Sequence, residues 1–355
     1  MPDLDAIYEF AGLDKHDMLG SIASFPDQCD SAWRRIRGLQ LPASYGKVAQ
    51  VMILGMGGSA IGGDLLRTLV SAQASVPILV HRDYVLPGFV GPDTVVIVCS
   101  YSGDTEEAIV GLEQAVARKS LVLAMTTGGE LARRSQASGI PLCQFDFQTQ
   151  PRAALGHLFT SLLGTVQSLG LVEDQSEHLT EAIRVMRDWQ SQIGPTVPVE
   201  QNSAKSLARR LQGRLPVVYA AEHLSEVGRR WKGQFNENSK SWAVFDTLPE
   251  LNHNTVAGYH LPAVLSELAY VLMLTSTQNH PRVRARFDIT EQLLQREQYS
   301  VERIAARGDS LLAQMLSLVH FGDYVSYYLA MLNGVDPWAI GDIEFIKGRL
   351  GHWGR

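Results

Sequence analysis

What most constrains this chain is an alternation that begins at Val48. Short apolar runs at Val48–Leu54, Val76–Val80, Thr94–Cys99, Leu121–Met125 and Pro141–Phe145 are separated by helical patterns such as Ser59–Ala72 and Glu106–Arg118. Strands with a helix between them cannot be joined as hairpins. They pair in parallel, and a parallel sheet needs helices on both faces. The spacing therefore predicts an α/β fold with a doubly wound, mostly parallel sheet. Pro151-Arg152 opens an apolar helical stretch to about Leu169, Ser176–Gln192 reads as another helix, and Gly194-Pro195-Thr196-Val197-Pro198 reads as a linker. The alternation then resumes with helix Ser203–Leu211, strand Pro216–Ala221, helix His223–Phe235, strand Trp242–Phe245 and apolar runs within Leu261–Ser276. Helices at Gln292–Val301, Leu311–Leu332 and Ile340–Leu350 close the chain. The expected organisation is a helical lead-in at 1–45, a first α/β domain at 46–170, a helix and linker at 171–200, a second α/β domain at 201–335 and a C-terminal helix at 336–355. Periodicity alone does not establish that the two halves repeat each other.

A chain of 355 residues is long enough for two such domains, and 45% hydrophobic with 19% charged residues argues against wholesale disorder. The net charge of -6 supplies no basic field for nucleic acid, so an anionic ligand needs a local site. Cys29, Cys99 and Cys143 lack CxxC spacing and read as reduced core thiols of a cytoplasmic protein. No signal peptide or membrane-spanning run is evident, and His253, His260 and His280 are too scattered to suggest a metal centre.

The loop after the third strand, Ser100-Tyr101-Ser102-Gly103-Asp104-Thr105, brings three hydroxyls to the start of a helix. Unpaired N–H groups and the helix dipole make such a place suited to a phosphate. Ordinary helix capping would also use Ser, Asp and Thr, but three hydroxyls and a glycine exceed what a cap needs. The glycine turn Gly55-Met56-Gly57-Gly58-Ser59-Ala60 follows the first strand and loosely fits a dinucleotide-binding pattern, with Asp83 after the second strand. Asp83 lies late for that role. Together the two loops make a crevice suited to a small phosphorylated ligand.

In the second half, amides bracket a carboxylate in Asn236-Glu237-Asn238 and an imidazole in Asn252-His253-Asn254. Such bracketing can hold an acid–base group in one orientation. Trp231 and Phe235, four residues apart, are better read as core packing than as substrate stacking.

Gly57-Gly58-Ser59, Ser100 to Thr105, Gln150-Pro151-Arg152, Asn236-Glu237-Asn238, Glu250-Leu251-Asn252-His253-Asn254, Gly322 to Ser326 and Val335-Asp336-Pro337 occur in this order. In that set the chain resembles the bifunctional phosphoglucose/phosphomannose isomerases of the sugar isomerase (SIS) superfamily. The resemblance implies two tandem SIS domains and interconversion of glucose 6-phosphate, and of mannose 6-phosphate, with fructose 6-phosphate through an enediolate. It implies Glu237 as the base, Arg152 as the cation beside the enediolate, and His253 with Lys347 in ring opening. Gly57, Gly58 and Ser59 would contact the sugar, and Ser100, Ser102 and Thr105 the phosphate. No cofactor or metal is implied, nor a nucleic acid or membrane partner. A homodimer is, with the residue matching His253 reaching in from the neighbouring subunit. One departure bears on specificity: the resemblance associates mannose 6-phosphate activity with a Thr near the C-terminal Lys, and Tyr328 to Arg355 contains neither Thr nor Gln. Thr255 also stands where such proteins often carry Glu. A sugar-phosphate sensor without turnover and a dinucleotide-dependent oxidoreductase are the competing readings.

Overall fold

The computed structural model describes residues 3–39 and 41–350. The remaining positions of the expected lead-in and C-terminal segment, 1–2, 40 and 351–355, lie outside the described residues. The chain opens with three helices, α1 (Ile7–Leu13), α2 (Met18–Ala23) and α3 (Phe25–Ile36). α3 turns Phe25, Cys29, Trp33 and Ile36 inward at helical spacing.

β1 (Gln50–Leu54), α4 (Gly57–Leu69), β2 (Ile78–His81), β3 (Thr94–Cys99), α5 (Glu106–Ala117), β4 (Leu121–Thr126), α6 (Gly129–Ala137) and β5 (Leu142–Gln144) form the first α/β unit. Its five strands are parallel in the order β2-β1-β3-β4-β5. All six residues of β3 are buried, as expected where helices cover both faces of a sheet. Ile53, Ile97 and Leu123 share one core with Leu65 of α4, whereas Met52, Val96 and Val98 share another with Leu112 of α5. The helices after β1 and β3 therefore leave to opposite faces, and their starting loops part at the carboxyl ends of adjacent strands. That is the position where open α/β sheets bind ligands.

α7 (Leu155–Ser168), α8 (Ser176–Ile193) and α9 (Ser203–Leu211) lead to the second unit. It comprises β6 (Leu215–Ala221), α10 (Ser225–Glu237), β7 (Val244–Leu248), α11 (Val264–Leu268), β8 (Ala269–Thr275), α12 (Pro281–Arg296) and β9 (Ser300–Ala305). Its parallel order, β7-β6-β8-β9, matches the first four strands of the other sheet. The repeat that periodicity could not establish is thus present in topology. α10 and α12 also take opposite faces, with Trp231 and Phe235 in one core and Phe287 in the other.

The expected helix Gln292–Val301 is a correction: α12 ends at Arg296, Gln298 takes φ 63°, and Val301 belongs to β9, paired with Val271. The pairing partner lies 30 positions away, so nothing local in the sequence announced the strand. The strand expected at Trp242–Phe245 begins two residues later, leaving Trp242 80% exposed. α13 (Leu311–Asn333) is buried on every side from Leu312 to Leu332 and packs against α8, α9 and α10. α14 (Gly341–Leu350) lies on the surface with no buried residue. No helix among the described residues is long and apolar enough to cross a membrane.

Candidate active site

The glycine turn owes its shape to two residues. Gly57 takes φ +48°, which residues with a Cβ rarely adopt, and opens α4. Gly58 lies against the chain at Pro151-Arg152, where a Cβ would come within 2.8 Å of the Arg152 nitrogen. Ser59 is buried, and its Oγ accepts the Tyr101 N–H at 3.2 Å, tying the turn to the loop after β3. In that loop Ser100 is fully buried; its Oγ accepts from the N–H groups of Gly103 at 3.1 Å and Thr105 at 3.4 Å and lies 2.8 Å from Thr105 Oγ1. Ser100 shapes the loop. Ser102 is exposed and Thr105 half-buried at the start of α5, where no side chain caps the helix.

Arg152 and Glu237 come together from 85 residues apart. Arg152 sits on the 3-10 turn Pro151–Ala154 and Glu237 on the last turn of α10. Arg152 Nη1 donates to Glu237 Oε2 at 3.3 Å, Nε to Asn238 Oδ1 at 2.7 Å, and Nη2 to the carbonyls of Pro337 at 2.6 Å and Trp338 at 3.2 Å. A guanidinium has five N–H donors, so these bonds leave Arg152 one to offer a ligand. Asn238 is fixed in turn by its Nδ2 donating to Ser326 Oγ at 2.9 Å. Arg230 donates to the Arg152 carbonyl at 3.0 Å and to Asp323 at 2.7 Å, and Gln234 donates to the other Asp323 oxygen at 2.8 Å. Only 3% of Arg152 is exposed, which excludes a surface role at a helix start. Burial pushes its guanidinium below the ordinary value, and the Glu237 carboxylate opposes that shift.

A cavity of about 250 Å³ is lined by Gly57, Gly58, Arg152, Glu237, Arg82 and Lys232, among others. Of the expected site residues it gathers four: Gly57, Gly58, Arg152 and Glu237. Ser59 and the Ser100–Thr105 loop do not line it. Glu237 also borders a second cavity of about 290 Å³, lined by Asn236, Lys240 and residues Ala339 to Ile343. His253, exposed on the 3-10 turn Glu250–His253, lines neither cavity, and neither does Lys347, exposed on α14. Sequence reasoning did not place Arg82, Lys232 or the buried Arg230–Asp323 pair at this site. Only the cluster of charges in Arg229-Arg230-Trp231-Lys232 could have pointed to the second and third of these.

A larger cavity, about 470 Å³, lies at the matching end of the second sheet, lined by Thr275, Ser276, Thr277, Asn279, Arg284 and Arg303. Arg303 pairs with Asp288 and Glu291. Glu222, at φ +52° in the turn after β6, accepts from Asn279 Nδ2 at 2.7 Å and from the His280 N–H at 3.0 Å. Among the described residues no group of three or more His, Cys, Asp or Glu side chains is placed to hold a metal ion.

Residues 200–350 match the family model described as the bacterial phospho-glucose isomerase C-terminal SIS domain. A bifunctional phosphoglucose/phosphomannose isomerase of Caldicellulosiruptor bescii is 39% identical over 94% of this chain and 98% of its own length. One from Aquifex aeolicus is 37% identical over 84% of this chain and 90% of its own. Among solved structures, tagatose-6-phosphate ketose/aldose isomerase from Escherichia coli superposes with a TM-score of 0.71 at 15% identity, covering 91% of this chain and 95% of its own; that likeness concerns the fold.

Proposed function

Since the chain belongs to the bifunctional phosphoglucose/phosphomannose isomerase family, we propose that it interconverts glucose 6-phosphate and mannose 6-phosphate with fructose 6-phosphate at the cavity between the glycine turn and α10. The observation that carries this reading is the pairing of a buried, four-times-bonded Arg152 with Glu237 at 3.3 Å on the wall of that cavity. Isomerisation alpha to a carbonyl needs a carboxylate at the carbon and a fixed cation where oxygen charge develops.

In the open-chain aldose, Glu237 takes the C2 proton. The C–H electron pair becomes the C1–C2 double bond, and the C1 carbonyl pair moves onto oxygen, where the remaining Arg152 N–H can meet it. Transfer of the C2 hydroxyl proton to the C1 oxygen and return of the carbon-bound proton to C1, with the C2–O bond becoming the carbonyl, give the ketose. Gly57, Gly58 and Ser59 form the sugar-facing turn. The phosphate goes to the loop where Ser100 sets the bend and Ser102 and Thr105 present hydroxyls at the start of α5. Ring opening falls to His253 and Lys347, and because His253 lines neither of the cavities that Glu237 borders, the reading includes a homodimer in which His253 is supplied by the neighbouring copy. SIS domains at 46–170 and 201–335 and a cytoplasmic location belong to the same proposal.

The test is a coupled assay for fructose 6-phosphate, run separately with each aldose phosphate and without added metal or nucleotide. Turnover with both is expected, and Glu237→Gln is expected to lose about 100-fold or more while melting as the wild type does. Turnover on glucose 6-phosphate alone would tie the Thr-free segment Trp338 to Gly341 to specificity. Tight binding of both sugars without turnover would replace the isomerase by a sensor.

A further inference from the structure

Among the groups that border Glu237, Lys240 is one that the proposed chemistry does not use. α10 ends at Glu237, and the last carbonyls of a helix have no partner within it. Lys240 supplies one: its Nζ donates to the Glu237 carbonyl at 2.6 Å and lies 3.5 Å from that of Asn238. To reach back, the backbone at Lys240 takes φ +55°, a left-handed conformation disfavoured for any residue with a Cβ. Glycine would adopt it freely. The side chain is therefore what this position uses. Asn333 Nδ2 holds the same turn from behind, donating to the Ser239 carbonyl at 3.0 Å and to Ser241 Oγ at 3.1 Å. On its open side the lysine lines the 290 Å³ cavity with Asn236 and Glu237.

We propose that Lys240 is a positioning residue for the base: its ammonium fixes the end of α10, and with it the Glu237 carboxylate, in the geometry that proton transfer requires. The inference rests on the assignment of Glu237 as the base. A catalytic group displaced by about 1 Å can lose about 100-fold in rate, and a charged donor makes a stronger tie to a carbonyl than a neutral one. Partial burial and then Arg152 push the ammonium down to about 8, while Asp336 and Glu237 pull the other way. Asp342 of α14 is the further charge on that cavity. The charged tie is present below this value and is lost as pH rises through it.

The experiment measures kcat and KM from neutral to alkaline pH for the wild type, Lys240→Met, Lys240→Gly, Lys240→Arg and Glu237→Gln. The wild type is expected to show an alkaline limb in kcat near pH 8. Lys240→Met and Lys240→Gly are expected to lose about 10- to 100-fold in kcat, with KM little changed and no such limb. Lys240→Arg should recover most of the turnover, without the limb, because its guanidinium stays charged. The glycine variant separates function from fold, since it relieves the backbone and should melt no lower than the wild type while turning over slowly. Wild-type turnover with an unmoved limb in Lys240→Met overturns the proposal. Full turnover in Glu237→Gln overturns the assignment of the base instead, whatever the lysine variants do.

Discussion

The two sheets share a strand order and place equivalent turns at equivalent points, yet those turns are furnished with different side chains. After the first strand of each, the chain passes through a left-handed residue, Gly57 in the first sheet and Glu222 in the second. After the next strand inward each has a serine whose hydroxyl accepts a loop N–H, Gly103 to Ser100 at 3.1 Å and Gln278 to Ser276 at 2.9 Å. The difference is the side chain at the turn. Gly57 has none, and the space around it opens into the cavity that holds Arg152 and Glu237. Glu222 sends a carboxylate across to Asn279 Nδ2 and the His280 N–H at the start of α12. Duplicating a fold thus duplicates the turn while leaving its side chain free to differ, and the second unit lends the first cavity the far end of α10.

The sharpest way to break this contrast is Gly57→Glu. Nothing stands within 4 Å of a Cβ built there, so the carboxylate would enter the cavity that Gly57 lines. A fall in kcat/KM of about 100-fold or more is expected, with about 1–2 kcal/mol of stability lost to the left-handed backbone. Unchanged kinetics would show that the crevice is not where the sugar phosphate sits. The reverse change, Glu222→Ala, leaves Asn279 Nδ2 and the His280 N–H without their acceptor and should cost about 1–3 kcal/mol in a denaturant titration. Glu222→Gly should lose less, because glycine takes the positive φ freely; equal losses would mean that the turn is not strained. The smallest effect expected is in the matched pair Ser100→Ala and Ser276→Ala. Each should cost about 1 kcal/mol, but KM should rise only in the first. A comparable rise in the second would join the two crevices functionally.

The alternation from Val48 onward made the parallel sheets legible, because a fully buried strand such as β3 is apolar throughout and has to be. Helix α9 appears at the residues expected, since its apolar spacing and its Asn202 cap are both local. β9 escaped because its apolar pattern is weak and its existence depends on pairing with β8. At the site, Glu237 stood out by its flanking amides and Arg152 by its motif. Their contact, and the Arg230–Asp323 pair beneath it, are products of the fold that no spacing along the chain encodes. Lys240 was passed over for a related reason: its role is written in a backbone angle, and lysine is an unremarkable residue to find after a helix.

The buried helix α13 has a consequence for how the molecule is made. It packs against α2, α8, α9 and α10, and His320 at its centre lies 3.1 Å from the carbonyl of Ile22, 298 residues earlier in the chain. On a ribosome adding roughly 5–20 residues per second, α2 has to wait for this packing partner until the 298 residues that lead from Ile22 to His320 have followed. During that interval the apolar faces of α2 and α8 stay uncovered, and the nascent protein is most open to aggregation and to chaperone capture just before synthesis reaches Leu332.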